Sequence, residues 1–206
     1  MVQNADEGDR AGGQRRRGAA VAGAGRGSAS SDGAPLEPES DERRARDAVY
    51  QLLATRARSR AELMRALRRK GIEEDTADGV LQKFVDVGLV DDAAFAEHWV
   101  ESRQRHQRLG RKALGFELRR KGIDEGTVAD ALSQVDEQAE VERARELVRR
   151  KLPAMASLDG TTKARRLLGM LARKGYPESL AFRVVREELE NSGTDDNWEE
   201  PEYRDW

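Results

Sequence analysis

The chain contains no cysteine, which excludes disulfides and thiolate metal sites and gives no sign of an oxidising compartment. It has two histidines, His98 and His106, eight residues apart on one predicted helix and so roughly 12 Å apart, too far to share a metal ion. No run approaches the 18 or so apolar residues of a membrane span, so no membrane partner is expected. Arg15-Arg16-Arg17 precedes a segment with one valine and three glycines, too weakly apolar for a twin-arginine export signal, and a cytoplasmic location is the expectation. Motifs for a phosphate-binding loop, a His-Glu-x-x-His zinc site, a nucleophile elbow and zinc-ligand spacing are all missing. Neither an enzyme nor a bound cofactor is expected, and no catalytic, cofactor-binding or metal residue is assigned.

Sustained period-two alternation of β-branched residues is also missing, and the apolar spacing is helical throughout. Of 206 residues, 37% are charged and 37% hydrophobic, too little apolar material for one large core and enough for several small ones. Residues 1–40, rich in Gly, Ala, Ser and Arg and without an aromatic, read as a disordered arm. Residues 191–206 read as an acidic tail.

A phrase occurs three times between these ends: Arg69-Lys70-Gly71-Ile72, Arg120-Lys121-Gly122-Ile123 and Arg173-Lys174-Gly175-Tyr176. Around the first two copies Leu63, Leu67, Arg68, Ile72, Glu74, Thr76 and Leu81 match Leu114, Leu118, Arg119, Ile123, Glu125, Thr127 and Leu132 without a gap. The third copy keeps Leu167, Leu171 and Glu178 but brings in Tyr176 and Pro177. Repeats near 50 residues are single supersecondary units that bury their apolar faces poorly alone. The expectation is therefore an all-α chain of three tandem three-helix repeats, 41–90, 91–136 and 137–190, in an elongated body.

Ser40 is the expected cap of the first helix, whose inward face is Ala45, Ala48, Val49, Leu52 and Leu53. Ser59-Arg60-Ala61-Glu62 is a capping-box sequence, Leu63 and Leu67 face inward, and Gly71 supplies the left-handed stop. Val80, Leu81, Phe84 and Val85 follow on a third helix that ends at Gly88. In the second repeat Asp91 is the expected cap, with Phe95, Trp99 and Val100 buried, then Leu114 and Leu118, then Val128, Leu132 and Val135. In the third, Val141, Ala144, Leu147, Val148 and Leu152 end at Pro153, and Leu167, Leu171, Leu180, Val184, Val185 and Leu189 follow. Pro177 suits a helix start.

A formal net charge of −2 conceals segregation. Residues 44–186 hold 30 Lys and Arg against 22 Asp and Glu, whereas 187–206 hold one against nine. Each Arg-Lys-Gly triplet taken singly reads as a helix C-terminal signal, because cations there favour the macrodipole. The region 103–121 is different: Arg103, Arg105, Arg108, Arg111, Lys112, Arg119, Arg120 and Lys121 face only Glu117 in the local sequence. Their mutual repulsion calls for an anion, so Arg103, Arg105, Arg108, Arg111, Lys112, Arg120 and Lys121 are the candidate partner or nucleic-acid contacts. The interleaved run 142–151, with Glu146 four before Arg150, reads instead as a solvated face. For the aromatic-acidic tail two roles stay open, a solubilising segment or an anionic competitor for the basic repeats.

Leu52-Leu53-Ala54-Thr55-Arg56-Ala57-Arg58-Ser59-Arg60-Ala61-Glu62-Leu63 leading to Lys70-Gly71-Ile72, then Gly88-Leu89-Val90-Asp91-Asp92 with Phe95-Ala96, then Gly110-Arg111 leading to Lys121-Gly122-Ile123, carry a resemblance. Over about 44–190 the chain resembles the RecX regulators of the RecA recombinase. The resemblance implies a DNA-repair protein whose repeats lodge in the groove of the RecA filament on single-stranded DNA, and a monomer is the expected state. It also implies a negative effect on ATP hydrolysis, strand exchange and coprotease activity, with at most weak direct binding to DNA. A stand-alone helical DNA-binding protein of helix-turn-helix type is the competing expectation.

Overall fold

The computed structural model describes residues 38–193. Among the described residues it is all-helical, in three successive groups of three. The first holds α1 (Pro38–Thr55), α2 (Arg60–Arg69) and α3 (Glu74–Asp86). The second holds α4 (Asp92–Gln107), α5 (Arg111–Lys121) and α6 (Glu125–Ser133). The third holds α7 (Glu137–Lys151), a short 3₁₀ turn (Leu152–Met155), α8 (Gly160–Arg173) and α9 (Glu178–Asn191). The arm expectation over 1–37 and the tail expectation over 194–206 lie outside the described residues.

Local chemistry sets most of these boundaries. The carboxylates of Asp91, Asp124, Asp136 and Asp159 each accept the backbone N–H three residues on, and Ser59 Oγ does the same from Glu62. Gly71, Gly122 and Gly175 end the middle helices with φ of +78°, +83° and +79°, conformations in which a Cβ is strained. Ser40 is a correction: α1 starts two residues earlier, at Pro38, because a proline in the first turn removes an N–H that has no helical acceptor anyway. At the other end α9 takes in Asn191, and Pro177 occupies its cap position rather than its first turn.

Each group closes its own core. Leu63 and Leu67, Leu114 and Leu118, and Leu167 and Leu171 are fully buried at matching positions of α2, α5 and α8. Around them lie Val80, Leu81 and Phe84 in the first group, Phe95, Val100 and Val128 in the second, and Val148, Val184 and Leu189 in the third. Full burial of one such leucine contributes about 1.5–3 kcal/mol, so the six set the scale of these small cores. Trp99 departs from the expected core set, since it is only half-buried and its ring meets cations.

The cores are joined by two junctions of the same kind. At the first, Ser59 Oγ donates to the Lys121 carbonyl at 2.7 Å, and the Arg60 N–H donates to Asp92 Oδ1 at 2.8 Å. At the second, the Gly110 N–H donates to the Lys174 carbonyl at 2.8 Å, and the Arg111 N–H to Glu140 Oε1 at 2.8 Å. In both, the C-terminal end of a following middle helix abuts the N-terminal end of the preceding one. A carboxylate from the following repeat's first helix satisfies an N–H that the preceding helix leaves unpaired. The middle helices therefore run head to tail, α8 into α5 and α5 into α2.

Glycine makes this approach possible. A Cβ on Gly122 would stand 2.4 Å from Ala61 Cβ, and one on Gly175 would stand 2.3 Å from the Ala113 nitrogen and 2.4 Å from its Cβ. At Gly71, in the first copy, a Cβ would meet nothing within 4 Å. The recurring triplet thus ends its own helix in all three copies and couples repeats in two of them.

Candidate functional site

The basic cluster straddles the end of α4, the α4–α5 connection and the whole of α5. Arg103 Nε donates to Glu117 Oε2 at 2.9 Å, and its guanidinium lies 4.0 Å from the Trp99 ring centroid. Trp99 Nε1 donates to the same carboxylate oxygen at 2.8 Å, while Lys121 Nζ lies 4.4 Å from the ring and 2.7 Å from Glu62. Trp99 is thus a packing surface for two cations. Arg105 pairs with Glu101 one turn back, Arg108 with Glu146 at 3.5 Å, and Arg111 with Glu140 at 3.5 Å while also donating to the Val135 carbonyl at 2.7 Å.

Five of the seven candidate cations therefore have a carboxylate partner within the chain. Glu62, Glu140 and Glu146 come from neighbouring repeats, and so do not show as counter-charges in the stretch 103–121. The expected Glu146–Arg150 pair is not formed, because Glu146 turns to Arg108 instead. The pairs differ in what they leave free. Arg105 and Glu101 are both mostly exposed, a pair worth about 0–1 kcal/mol that an external anion can replace. Glu140 is 2% exposed and Glu62 is held by two cations, so Arg111 and Lys121 are committed to the junctions. Burial pushes the Glu62 carboxyl up, but the Arg56 and Lys121 hydrogen bonds and charges outweigh it and bring the group to about 2.

Lys112 and Arg120 have no carboxylate partner among the described residues and are exposed. They lie on one outer ridge of α5 with Phe116 between them, at i, i+4 and i+8. The matching positions, counted from the shared glycine, are Ala61, Arg65 and Arg69 on α2 and Arg165, Gly169 and Arg173 on α8. These nine positions hold six exposed cations and no acid. Arg65 reaches back across the junction to the Lys121 carbonyl at 3.3 Å, linking the α2 ridge to that of α5.

Phe116 is 60% exposed, with the Arg120 guanidinium 5.8 Å from its ring centroid. It escaped the reading of the sequence, although the signal was present: it stands two residues from Leu114 and two from Leu118, both inward, and so must point outward.

The third repeat shapes the same region. Arg108 has φ of +51°, a left-handed conformation in which a non-glycine residue is uncommon. Repeat 3 grips it there: Tyr176 Oη donates to the Arg108 carbonyl at 3.0 Å and Lys174 Nζ to the Gln107 carbonyl at 2.7 Å. Burial pushes the Tyr176 phenol up to about 12, so it stays a neutral donor. The departure from isoleucine in the third copy thus has a local reason, since the Tyr176 hydroxyl donates to the α4–α5 connection and an isoleucine there has no group to donate.

Among the described residues no cluster of three or more His, Cys, Asp or Glu could hold a metal ion, and no helix is long and apolar enough to cross a membrane. His98 Nδ1 lies 2.8 Å from the Ala94 carbonyl of its own helix.

Comparison with known proteins places the three groups in one scheme. Residues 45–84 match the first three-helix domain of RecX, 91–132 the second and 138–185 the third. The regulatory protein RecX of Amycolatopsis mediterranei is 49% identical over 162 residues, spanning 79% of this chain and 93% of that protein. The regulatory protein RecX of Thermobifida fusca is 45% identical over 170 residues, spanning 82% and 92%. The crystal structure of RecX from Lactobacillus salivarius superposes with a TM-score of 0.68 at 24% identity, over 72% of this chain and 97% of that one, and supports the fold.

Proposed function

The chain belongs to the RecX family of regulatory proteins, and from that premise we propose that it is a non-catalytic negative regulator of the RecA recombinase. In this reading it is a cytoplasmic monomer that seats its middle helices in the groove of the RecA filament on single-stranded DNA. There it lowers ATP hydrolysis, strand exchange and coprotease activity.

The observation that carries the reading is the set of outer ridges on α2, α5 and α8, six cations without a carboxylate on helices that succeed one another head to tail. Such a face complements acidic protein surface or phosphate, and repetition lets successive repeats meet successive units of a polymer. Of the seven cluster residues, Lys112 and Arg120 are the direct contacts and Arg105 is a contact by exchange of Glu101. Arg103, Arg108, Arg111 and Lys121 hold α4, α5 and the junctions in place.

The test adds the purified protein to pre-formed RecA filaments on single-stranded DNA and follows ATP hydrolysis and filament length. Both should fall at a low ratio of protein to recombinase. No change in either across a range of salt and protein concentration refutes the reading. The variant Arg69→Gln/Lys112→Gln/Arg120→Gln/Arg173→Gln should lose most of the effect while keeping native helicity by circular dichroism.

A further inference from the structure

We propose that Phe116 is a base-stacking platform for single-stranded nucleic acid, with Lys112 and Arg120 neutralising the phosphates on either side of the stacked nucleotide. This deepens the reading above by locating where DNA is touched, but it is tested without the recombinase.

Among the described residues four large hydrophobic side chains are prominently exposed: Tyr50, Val87, Leu89 and Phe116. Tyr50 has an aromatic partner in Phe84, with ring centroids 4.9 Å apart, and Val87 and Leu89 belong to the turn after α3. Of these four, only Phe116 stands on the outer face of a helix away from its own core, with cations one turn before and one turn after. Among the described residues Lys112 and Arg120 have no ion pair, whereas the nearby acids are occupied: Glu117 by Trp99 and Arg103, and Glu125 by Arg119. Among the described residues the face thus presents one ring and two uncommitted positive charges, with no competing carboxylate.

That composition selects among partners. An apolar protein surface would need several adjoining apolar side chains, and the α5 ridge offers one. A duplex keeps its base faces inside the stack, out of reach of a ring held rigidly on a helix. An unpaired strand can turn a base outward onto a ring, and aromatic rings flanked by cations are the general means of holding such strands without regard to sequence. Successive ridge positions rise about 6 Å apart along α5, so the two charges flank the ring at a distance that neighbouring phosphates of an extended strand can span. Arg120, its guanidinium 5.8 Å from the Phe116 ring centroid, is placed to stack on a base as well as to bind phosphate.

Binding is measured by fluorescence anisotropy with labelled oligothymidylate, an abasic phosphodiester chain of the same length and a duplex. The wild-type chain should prefer oligothymidylate to the abasic chain on the order of tenfold, from one stacked base. Phe116→Ala should abolish that preference while leaving abasic binding unchanged, and Phe116→Trp should keep or increase it. Lys112→Gln/Arg120→Gln should weaken both ligands and lower the salt slope by roughly 1.4, the value for two phosphates on a single strand.

Equal wild-type affinity for oligothymidylate and the abasic chain overturns the proposal. So does a duplex bound as tightly as the single strand, or a folded Phe116→Ala that loses both single-stranded ligands alike. A chain that shortens RecA filaments yet shows no preference for bases would sink the platform and leave the filament reading standing. A Phe116-dependent preference in a chain without effect on filaments would do the reverse.

Discussion

Replacing the three equivalent glycines by alanine separates helix termination from coupling between repeats. All three have φ near +80°, so Gly71→Ala, Gly122→Ala and Gly175→Ala share one backbone penalty of about 1–2 kcal/mol. Gly71→Ala should cost only that, because its new methyl enters open space. At Gly122 the methyl would lie 2.4 Å from Ala61 Cβ, and at Gly175 it would lie 2.3 Å from a backbone nitrogen. Ordinary carbon contacts begin near 3.5 Å, so each junction must open by about 1 Å. The opposing atoms are backbone or Cβ and have no rotamer to change. Opening by that amount strains the hydrogen bonds from Ser59 to Lys121 or from Gly110 to Lys174. Overpacking of this kind adds about 1–3 kcal/mol, giving roughly 2–5 kcal/mol in all for Gly122→Ala and Gly175→Ala. Urea denaturation followed by circular dichroism measures the three side by side. The two junction variants should also broaden the transition as the repeats uncouple. If Gly175→Ala proves no more destabilising than Gly71→Ala, the role assigned to the junction glycines is wrong.

Removing Glu140 by Glu140→Ala should cost about 3–5 kcal/mol, since it strips a buried partner from the Arg111 N–H and guanidinium; a loss within 1 kcal/mol by urea denaturation would contradict the second junction. Tyr176→Phe removes one hydrogen bond to the Arg108 carbonyl and should cost about 1 kcal/mol, with faster hydrogen exchange in the α4–α5 connection as its local signature. Glu62 has a folded pKa of about 2, below its ordinary value of 4.5, so its contribution is complete above about 4.5 and is lost as pH falls towards 2. Its charge faces Arg56 and Lys121, and Glu62→Gln should flatten the loss of stability across that window in acid-titration experiments.

The helices and their inward leucines were legible because periodicity is local: Leu63, Leu67, Leu114, Leu118, Leu167 and Leu171 announce themselves within one turn. Ser40 misled because two helix-start signals compete within three residues, and Pro38 lies earlier. The triplets were rightly read as helix ends, yet their second role rests on contacts such as Gly122 with Ala61, separated by sixty residues of chain. Separation along the chain also hid Glu62 and Glu140, which lie 59 and 29 residues from the Lys121 and Arg111 charges they answer. Tyr176, an irregularity in the pattern, acquires its reason only when Arg108 is seen beside it. Phe116 differs again, since helical periodicity marks the inward positions Leu114 and Leu118 and gives an outward aromatic no signal except through them.

The head-to-tail order of α8, α5 and α2 has a consequence for symmetry. Joining the foot of one unit to the head of the next is a heterologous contact, and a heterologous step that does not close into a ring generates a screw. The three repeats have no two-fold axis between them and possess a sense of direction, from the α8 ridge to the α2 ridge. A helical polymer is itself a screw with a direction, as is a nucleic-acid strand with its 5′ and 3′ ends. A chain assembled by such steps has no equivalent reversed orientation, because reversal would set each ridge against the wrong neighbour.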